Sequence, residues 1–230
     1  MIEVRGLRKR FGRTTALDGV DLRVEPGELV GLVGHNGAGK STLLEILAGQ
    51  LLPSEGSVRI GGVDVLTDPN AARARLGFVP EDPALYDYLS AREFLELVTA
   101  VRGGGDVQLA LDRAGLGEES DRLIREYSQG MRRKTALAAA IVSTPPALVL
   151  DEALNGLDPP SAARMHGTLA TLREQGAAIL LSTHVLDTIA RAATRVVMLA
   201  RGKVVLDEPI GKRDAEELEA LFLTVGKRDP

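Results

Sequence analysis

Cysteine is missing from this 230-residue sequence, so neither a disulfide framework nor a thiolate-held metal is open to it. Tryptophan is missing too, and aromatics make up only 3% of residues, which leaves aliphatic side chains to fill the interior. No apolar run approaches the ~18 residues that a bilayer crossing needs, and "MIEVRGLRKRFG" lacks the apolar centre of a secretory signal. The chain is therefore expected to be soluble, with any membrane span supplied by another polypeptide. A basic excess is also absent. Lys and Arg number 28 against 32 Asp and Glu, a net charge of −4, which argues against nucleic acid as a partner.

Internal repeats, low-complexity tracts and linkers able to divide two domains are lacking as well. Hydrophobic residues at 44% and charged residues at 26% describe an ordinary globular chain, long enough to bury a sizeable core. The start reads as β structure, with "IEVRGL", "VDLRV" and "GSVRI" separated by turn signals such as "EPGE", and predicts a small antiparallel lobe. From "ELVGLVG" onward, buried apolar runs alternate with helical periodicity, the pattern of an α/β protein with a mostly parallel sheet. The expected core strands are "LVGLV", "LGFVP", "ALVLD", "AAILLST" and "RVVMLA", with helices at "KSTLLEILAG" and "SAARMHGTLATLREQ". Between Ser90 and Arg125 helical spacing replaces strands, which predicts an inserted helical lobe. "DAEELEALFLTV" predicts a late surface helix with acidic residues in its first turn.

The chemistry is concentrated after the apolar strands. Gly34, His35, Asn36, Gly37, Ala38, Gly39, Lys40 and Ser41 fit G-x-x-x-x-G-K-[ST], between a strand and a helix. Glycines let the backbone turn several N–H groups inward toward a phosphate, and the helix N-terminus adds its positive dipole end. Lys40 would reach the β and γ phosphates, the Ser41 hydroxyl would bind Mg²⁺, and Thr42 sits beside them. The bland alternative is a glycine-rich turn that joins strand to helix. "ALVLDE" ends a strand in two carboxylates; Asp151 would hold Mg²⁺ through its water shell, and Glu152 would orient and deprotonate an attacking water. Such a pair can also be structural. His184 ends a third apolar strand, where an open parallel sheet gathers its ligand, and would touch the γ phosphate; a satisfied structural histidine is the alternative. His35 belongs to the cradle, and His166 is expected on a helix surface.

With cradle, paired acids and late histidine in that order, the chain resembles the nucleotide-binding subunit of an ATP-binding cassette (ABC) transporter, from "VRGLRKRFG" to "RGKVVLDEP". "YSQGM" stands where that family has its signature, LSGGQ. The resemblance implies the ABC ATPase fold, a P-loop NTPase core with the antiparallel and helical lobes. It also implies two cassettes head to tail, each ATP held between the cradle of one and the signature of the other. Ser128 and Gly130 would then serve the γ phosphate of a partner's ATP, although Ser128 as a plain helix cap has the same geometry. Phe11 matches the aromatic that stacks on adenine, and Asp158 in "NGLD" the loop that addresses the partner site. Glu81 stands where most members have Gln, as a group sensing Mg²⁺ or water; Gln129 and Ala153 are milder departures.

The implied function is an ATPase on the cytoplasmic face of the membrane that uses ATP and Mg²⁺, pairs with a second copy or a homologous subunit, and drives a separate permease as part of an exporter. On this reading residues 1–89 and 143–210 are the β lobe and nucleotide core, 90–142 the helical lobe with the signature, and 211–230 a C-terminal helix and tail. The alternative is a non-transport cassette ATPase acting as a mechanical switch in translation or DNA repair. Against it stand the single cassette, the short helical lobe and the lack of a basic tail. A small-molecule P-loop kinase would leave Ser128, Gly130 and His184 without a purpose.

Overall fold

In the computed structural model, which describes residues 1–228, the strands separate into two sheets according to what each must cover. β1 (Ile2–Phe11) and β2 (Thr14–Val24) form a long hairpin, extended by β4 (Glu55–Ile60) and β5 (Val63–Asp64) into an antiparallel sheet of order β2-β1-β4-β5. Only one face of this sheet meets the core, so burial alternates, as at Val58 and Ile60 against exposed Arg59.

β3 (Leu29–Val33), β6 (Leu76–Val79), β7 (Ala147–Asp151), β8 (Ala178–Ser182), β9 (Arg195–Ala200) and β10 (Lys203–Pro209) build the second sheet, in the order β10-β9-β3-β8-β7-β6. All neighbours are parallel except β10 on β9. Every residue of β3, β7 and β8 is buried, because both faces of the sheet are covered; this is why these strands read as unbroken apolar runs. One face packs on α1 (Lys40–Leu47) and the antiparallel sheet, with Leu43, Leu44, Leu47, Val30, Leu32 and Val149 in one apolar cluster. α2 (Pro69–Ala74) closes the edge of that cluster through Ala72.

The other face carries the helical region: α3 (Ala91–Arg102), α4 (Val107–Ala114), two 3₁₀ turns at Gly117–Asp121 and Ile124–Glu126, and α5 (Gln129–Ile141). α3 starts in a reciprocal cap, with Ser90 Oγ accepting from the Glu93 N–H at 3.2 Å while the Ser90 N–H donates to Glu93 Oε2 at 2.8 Å. α6 (Pro159–Glu174) lies on the same face, its Met165, Leu169 and Leu172 buried with Leu95, Leu111 and Leu137. α7 (Leu186–Ala192) and α8 (Ala215–Arg228) gather a third, smaller cluster around Ile189, Val196, Met198 and Leu218. The expected tail to 230 ends in two residues that lie outside the described ones.

Candidate functional site

The loop from Gly34 to Gly39 leaves the end of β3 and is pressed against two neighbouring backbones. A Cβ on Gly34 would lie 2.3 Å from the Leu199 carbonyl oxygen. A Cβ on Gly39, whose φ is 105°, would lie 2.5 Å from the Ala16 carbonyl oxygen. These two glycines are therefore required by close approach as well as by conformation. Gly39 precedes α1 without a side-chain cap, so the first-turn N–H groups of the helix face out of its end. The Lys40 ammonium folds under the loop and donates to the Gly34 carbonyl at 2.6 Å and the His35 carbonyl at 3.4 Å. Ser41 is exposed and Thr42 half-buried on the turn above.

A cleft of about 470 Å³ runs over this loop, walled by Phe11, Thr14, Thr15 and Ala16 on one side and by His35, Asn36, Gly37 and Gly39 to Thr42 on the other. Phe11 is 48% exposed at the tip of the β1–β2 hairpin, with the Lys9 ammonium 4.8 Å above its ring centroid. The cleft thus joins an aromatic face to a nest of backbone N–H groups.

Because β3, β8 and β7 are adjacent in the sheet, their C-terminal ends bring the remaining groups to the same edge. Asp151 is buried, and burial pushes its carboxyl above the usual carboxylate range. The nearby Ser182 hydroxyl, short of a fully formed hydrogen bond, and the Lys40 cation pull it down, while Glu152 and Glu81 push it further up. Lys40, Glu152 and Glu81 therefore each act on Asp151. A carboxylate whose charge is disfavoured by burial gains most from a cation placed beside it.

Glu152 adopts a left-handed φ of 49°, a conformation that costs a non-glycine residue ~1–3 kcal/mol. It is held there on several sides. Its N–H donates to the Ser182 carbonyl at 2.9 Å, and its carboxylate accepts from Asn155 Nδ2 at 2.5 Å. His184 Nδ1 lies 3.1 Å from Glu152 Oε1, and the His184 N–H donates to Oε2 at 3.4 Å. Asn155 Nδ2 is also 3.4 Å from His184 Nδ1, and Asn155 Oδ1 accepts from the Thr183 hydroxyl at 3.3 Å. The His184 side chain is 73% exposed, while that of Glu152 is 12% exposed. Asn155 was not foreseen from the sequence. The signal for it was its position three residues after the acid pair, in a turn that returns it to Glu152.

The remaining expected residues, Ser128, Gly130 and Asp158, stand at the starts of α5 and α6. Ser128 caps α5, its Oγ accepting from the Met131 N–H at 3.3 Å. A Cβ on Gly130 would meet nothing nearer than Leu157 Cδ2 at 3.8 Å, so packing inside this chain does not require glycine there. Asp158 caps α6, accepting from the Ser161 N–H at 2.9 Å and the Ser161 hydroxyl at 2.7 Å, and the latter bond leads in holding its carboxyl below the usual range. His166 corrects the expectation of a surface residue: it is half-buried on α6, its Nδ1 lacks a hydrogen-bond partner, and burial followed by the nearby Arg191 lowers its pKa.

Comparison with known proteins bears on the family and the fold. The family model described as ABC transporter matches residues 17–155. A daunorubicin resistance ATP-binding protein of Streptomyces coeruleorubidus is 36% identical over 225 residues, covering 95% of this chain and 70% of the relative. The solved structure of an ATP-binding subunit of an ABC transporter superposes with a TM-score of 0.91 at 29% identity, over 98% of this chain and 99% of the other. A dimeric ATP-binding cassette in a post-hydrolysis state, bound to ADP and Pi, gives a TM-score of 0.82 at 26% identity, over 91% of this chain and 99% of the other.

Proposed function

Because the chain belongs to the ABC transporter family and is one of its ATP-binding, ATP-hydrolysing cassettes, we propose that it pairs head to tail with a second cassette, identical or homologous, and drives a separate membrane permease that exports its cargo. The observation that carries the dimer is the division of the expected site. Lys40, Asp151, Glu152 and His184 lie at or after the C-terminal ends of the adjacent strands β3, β7 and β8, whereas Ser128 and Gly130 start α5 in the helical region and include a glycine that this chain's own packing does not need. A glycine kept open at a helix start suits a phosphate approached from a partner.

In the proposed site the backbone N–H groups of residues 34–42 and the Lys40 ammonium hold the phosphates, and Phe11 stacks on the base. Ser41 and Asp151 suit Mg²⁺, which takes one or two protein oxygens along with phosphate and water and would offset charge on the phosphates. Glu152 accepts the proton of the attacking water, with Asn155 and His184 fixing its carboxylate. His184, reaching Glu152 through Nδ1, is left with its Nε2 edge for the γ phosphate. Ser128 and Gly130 of the partner close the pocket, and the loop at Asp158 reaches the opposite site from its cap on α6.

Residues 90–142 are the lever in this reading, with 1–89 and 143–210 the nucleotide-binding body. A groove of about 500 Å³ between Phe78, Pro80, Pro83–Tyr86 and the α3 residues Phe94, Leu97, Val98 and Val101 is apolar; Tyr86 meets Phe94 edge to face at 5.8 Å, and Val101 is 81% exposed. Such a groove takes the apolar face of a helix, here one from the permease. Its lining residue Pro80 precedes Glu81, whose charge acts on Asp151, so on this reading a shift of the Glu81 loop on docking would change the surroundings of Asp151. No helix among the described residues is long and apolar enough to cross a membrane, and docking to the permease would hold the chain at the cytoplasmic face. The relative's name, daunorubicin resistance, supports export.

Affinity isolation of the Glu152→Gln protein from native membranes tests this reading. A multispanning protein is expected with it. Recovery of ribosomal or DNA-repair factors instead would favour the non-transport alternative.

Glu81 gives a separate expectation. Its charge adds to that of Asp151, so ATP affinity should depend more on Mg²⁺ in the wild type than in Glu81→Gln, by about fivefold on the scale of a partly exposed charge pair. Titrating ATP with and without Mg²⁺ measures this, and equal metal dependence in the two proteins contradicts it.

A further inference from the structure

We propose that the cavity between α8 and the His184 loop is a binding site for a small organic cation with an apolar body, distinct from the nucleotide cleft. This goes beyond the transport reading, which uses Gly34, His35 and His184 on one side of the cavity and assigns nothing to its α8 side. It measures about 410 Å³, within the range of sites that enclose small organic molecules. Its floor is apolar, formed by Val33 and Met198 at the ends of β3 and β9 and by Leu186 of α7. Its roof is α8, and the spacing along that helix explains the chemistry of the roof. Leu218 and Phe222, four residues apart, seat α8 on the third cluster. Glu219 and Leu223, the next such pair, line the cavity as a carboxylate one turn from a leucine that is 58% exposed.

That pairing selects the ligand. An apolar body fits between Leu223, Phe222 and Met198, while a positive charge on it faces Glu219. The carboxylate disfavours a phosphate, so the site is not an extension of the cradle, although His35 forms part of both walls. His184 lines the cavity as well, which places the ligand beside the group that holds Glu152.

Two probes of the same shape and opposite charge, tetraphenylphosphonium and tetraphenylborate, test the proposal by calorimetry on the full chain without nucleotide. Failure of the transport reading therefore leaves this result untouched. Saturable 1:1 binding of the phosphonium is expected, with preference over the borate. Glu219→Lys should reverse that preference, each affinity moving at least about fivefold. The methyl NMR signal of Met198 should shift on binding while those of Met131 and Met165 stay in place. No saturable phosphonium binding, a preference unchanged by Glu219→Lys, or an unmoved Met198 signal would each overturn the assignment.

Discussion

The Glu152→Gln protein is expected to bind ATP with Mg²⁺ as the wild type does but to release phosphate ~10²- to 10⁴-fold more slowly, the range that a positioned general base contributes. The substitution keeps the length and shape of the side chain and leaves the backbone contact from Glu152 to the Ser182 carbonyl in place. What it changes is chemical. An amide oxygen can still accept from Asn155 Nδ2, but the amide nitrogen must then face His184 Nδ1, and no oxygen remains that can take a proton from water. Binding should persist because the cradle, Lys40 and Phe11 are untouched. With hydrolysis blocked, the ATP-bound dimer should accumulate, visible as a nucleotide-dependent shift to twice the mass in size exclusion. Single-turnover phosphate release gives the rate; a wild-type rate would place activation of the water on another group and remove Glu152 from the mechanism.

The parts of the site that the sequence made legible are those fixed by local pattern. β3, β7 and β8 are buried on both faces, so each appears as an uninterrupted apolar run, and the glycine spacing after β3 reflects two close backbone approaches that admit no Cβ. The parts that stayed hidden depend on tertiary neighbours. The first half of β2, "TTALDG", does not alternate cleanly, because it pairs with β1 through register shifts, so only "VDLRV" stood out. α2, six residues long and rich in alanine, is too short to show a period. Asn155 acquires its role only when the ends of β7 and β8 lie side by side. His166 looked like a surface residue from its mid-helix position, yet the fold half-buries its ring and brings Arg191 of α7 within electrostatic reach. The helix start at Ser128 was legible as a cap, whereas packing inside the chain gives no reason for glycine at Gly130, and only the family resemblance offered one.

If each pocket is completed by two protomers, two inactive variants should restore each other. Lys40→Ala removes the ammonium that the cradle holds against the Gly34 and His35 carbonyls, and Ser128→Glu places a negative charge where the γ phosphate of a partner's ATP would lie. Each variant alone should lose at least about a hundredfold in hydrolysis, because every site in its own dimer carries the defect. In an equal mixture, half of the dimers pair the two variants. Each such dimer contains one site with an intact Lys40 from one protomer and an intact Ser128 from the other, and one site with both defects. Recovery to about a quarter of the wild-type rate follows if sites work singly and protomers exchange freely. Because Ser128→Glu also gives up the Ser128 cap on α5, an unchanged thermal transition of that variant must separate lost hydrolysis from lost folding. A mixture no more active than its components would mean that cradle and signature serve the same chain or do not meet at all, and the head-to-tail arrangement would have to be abandoned.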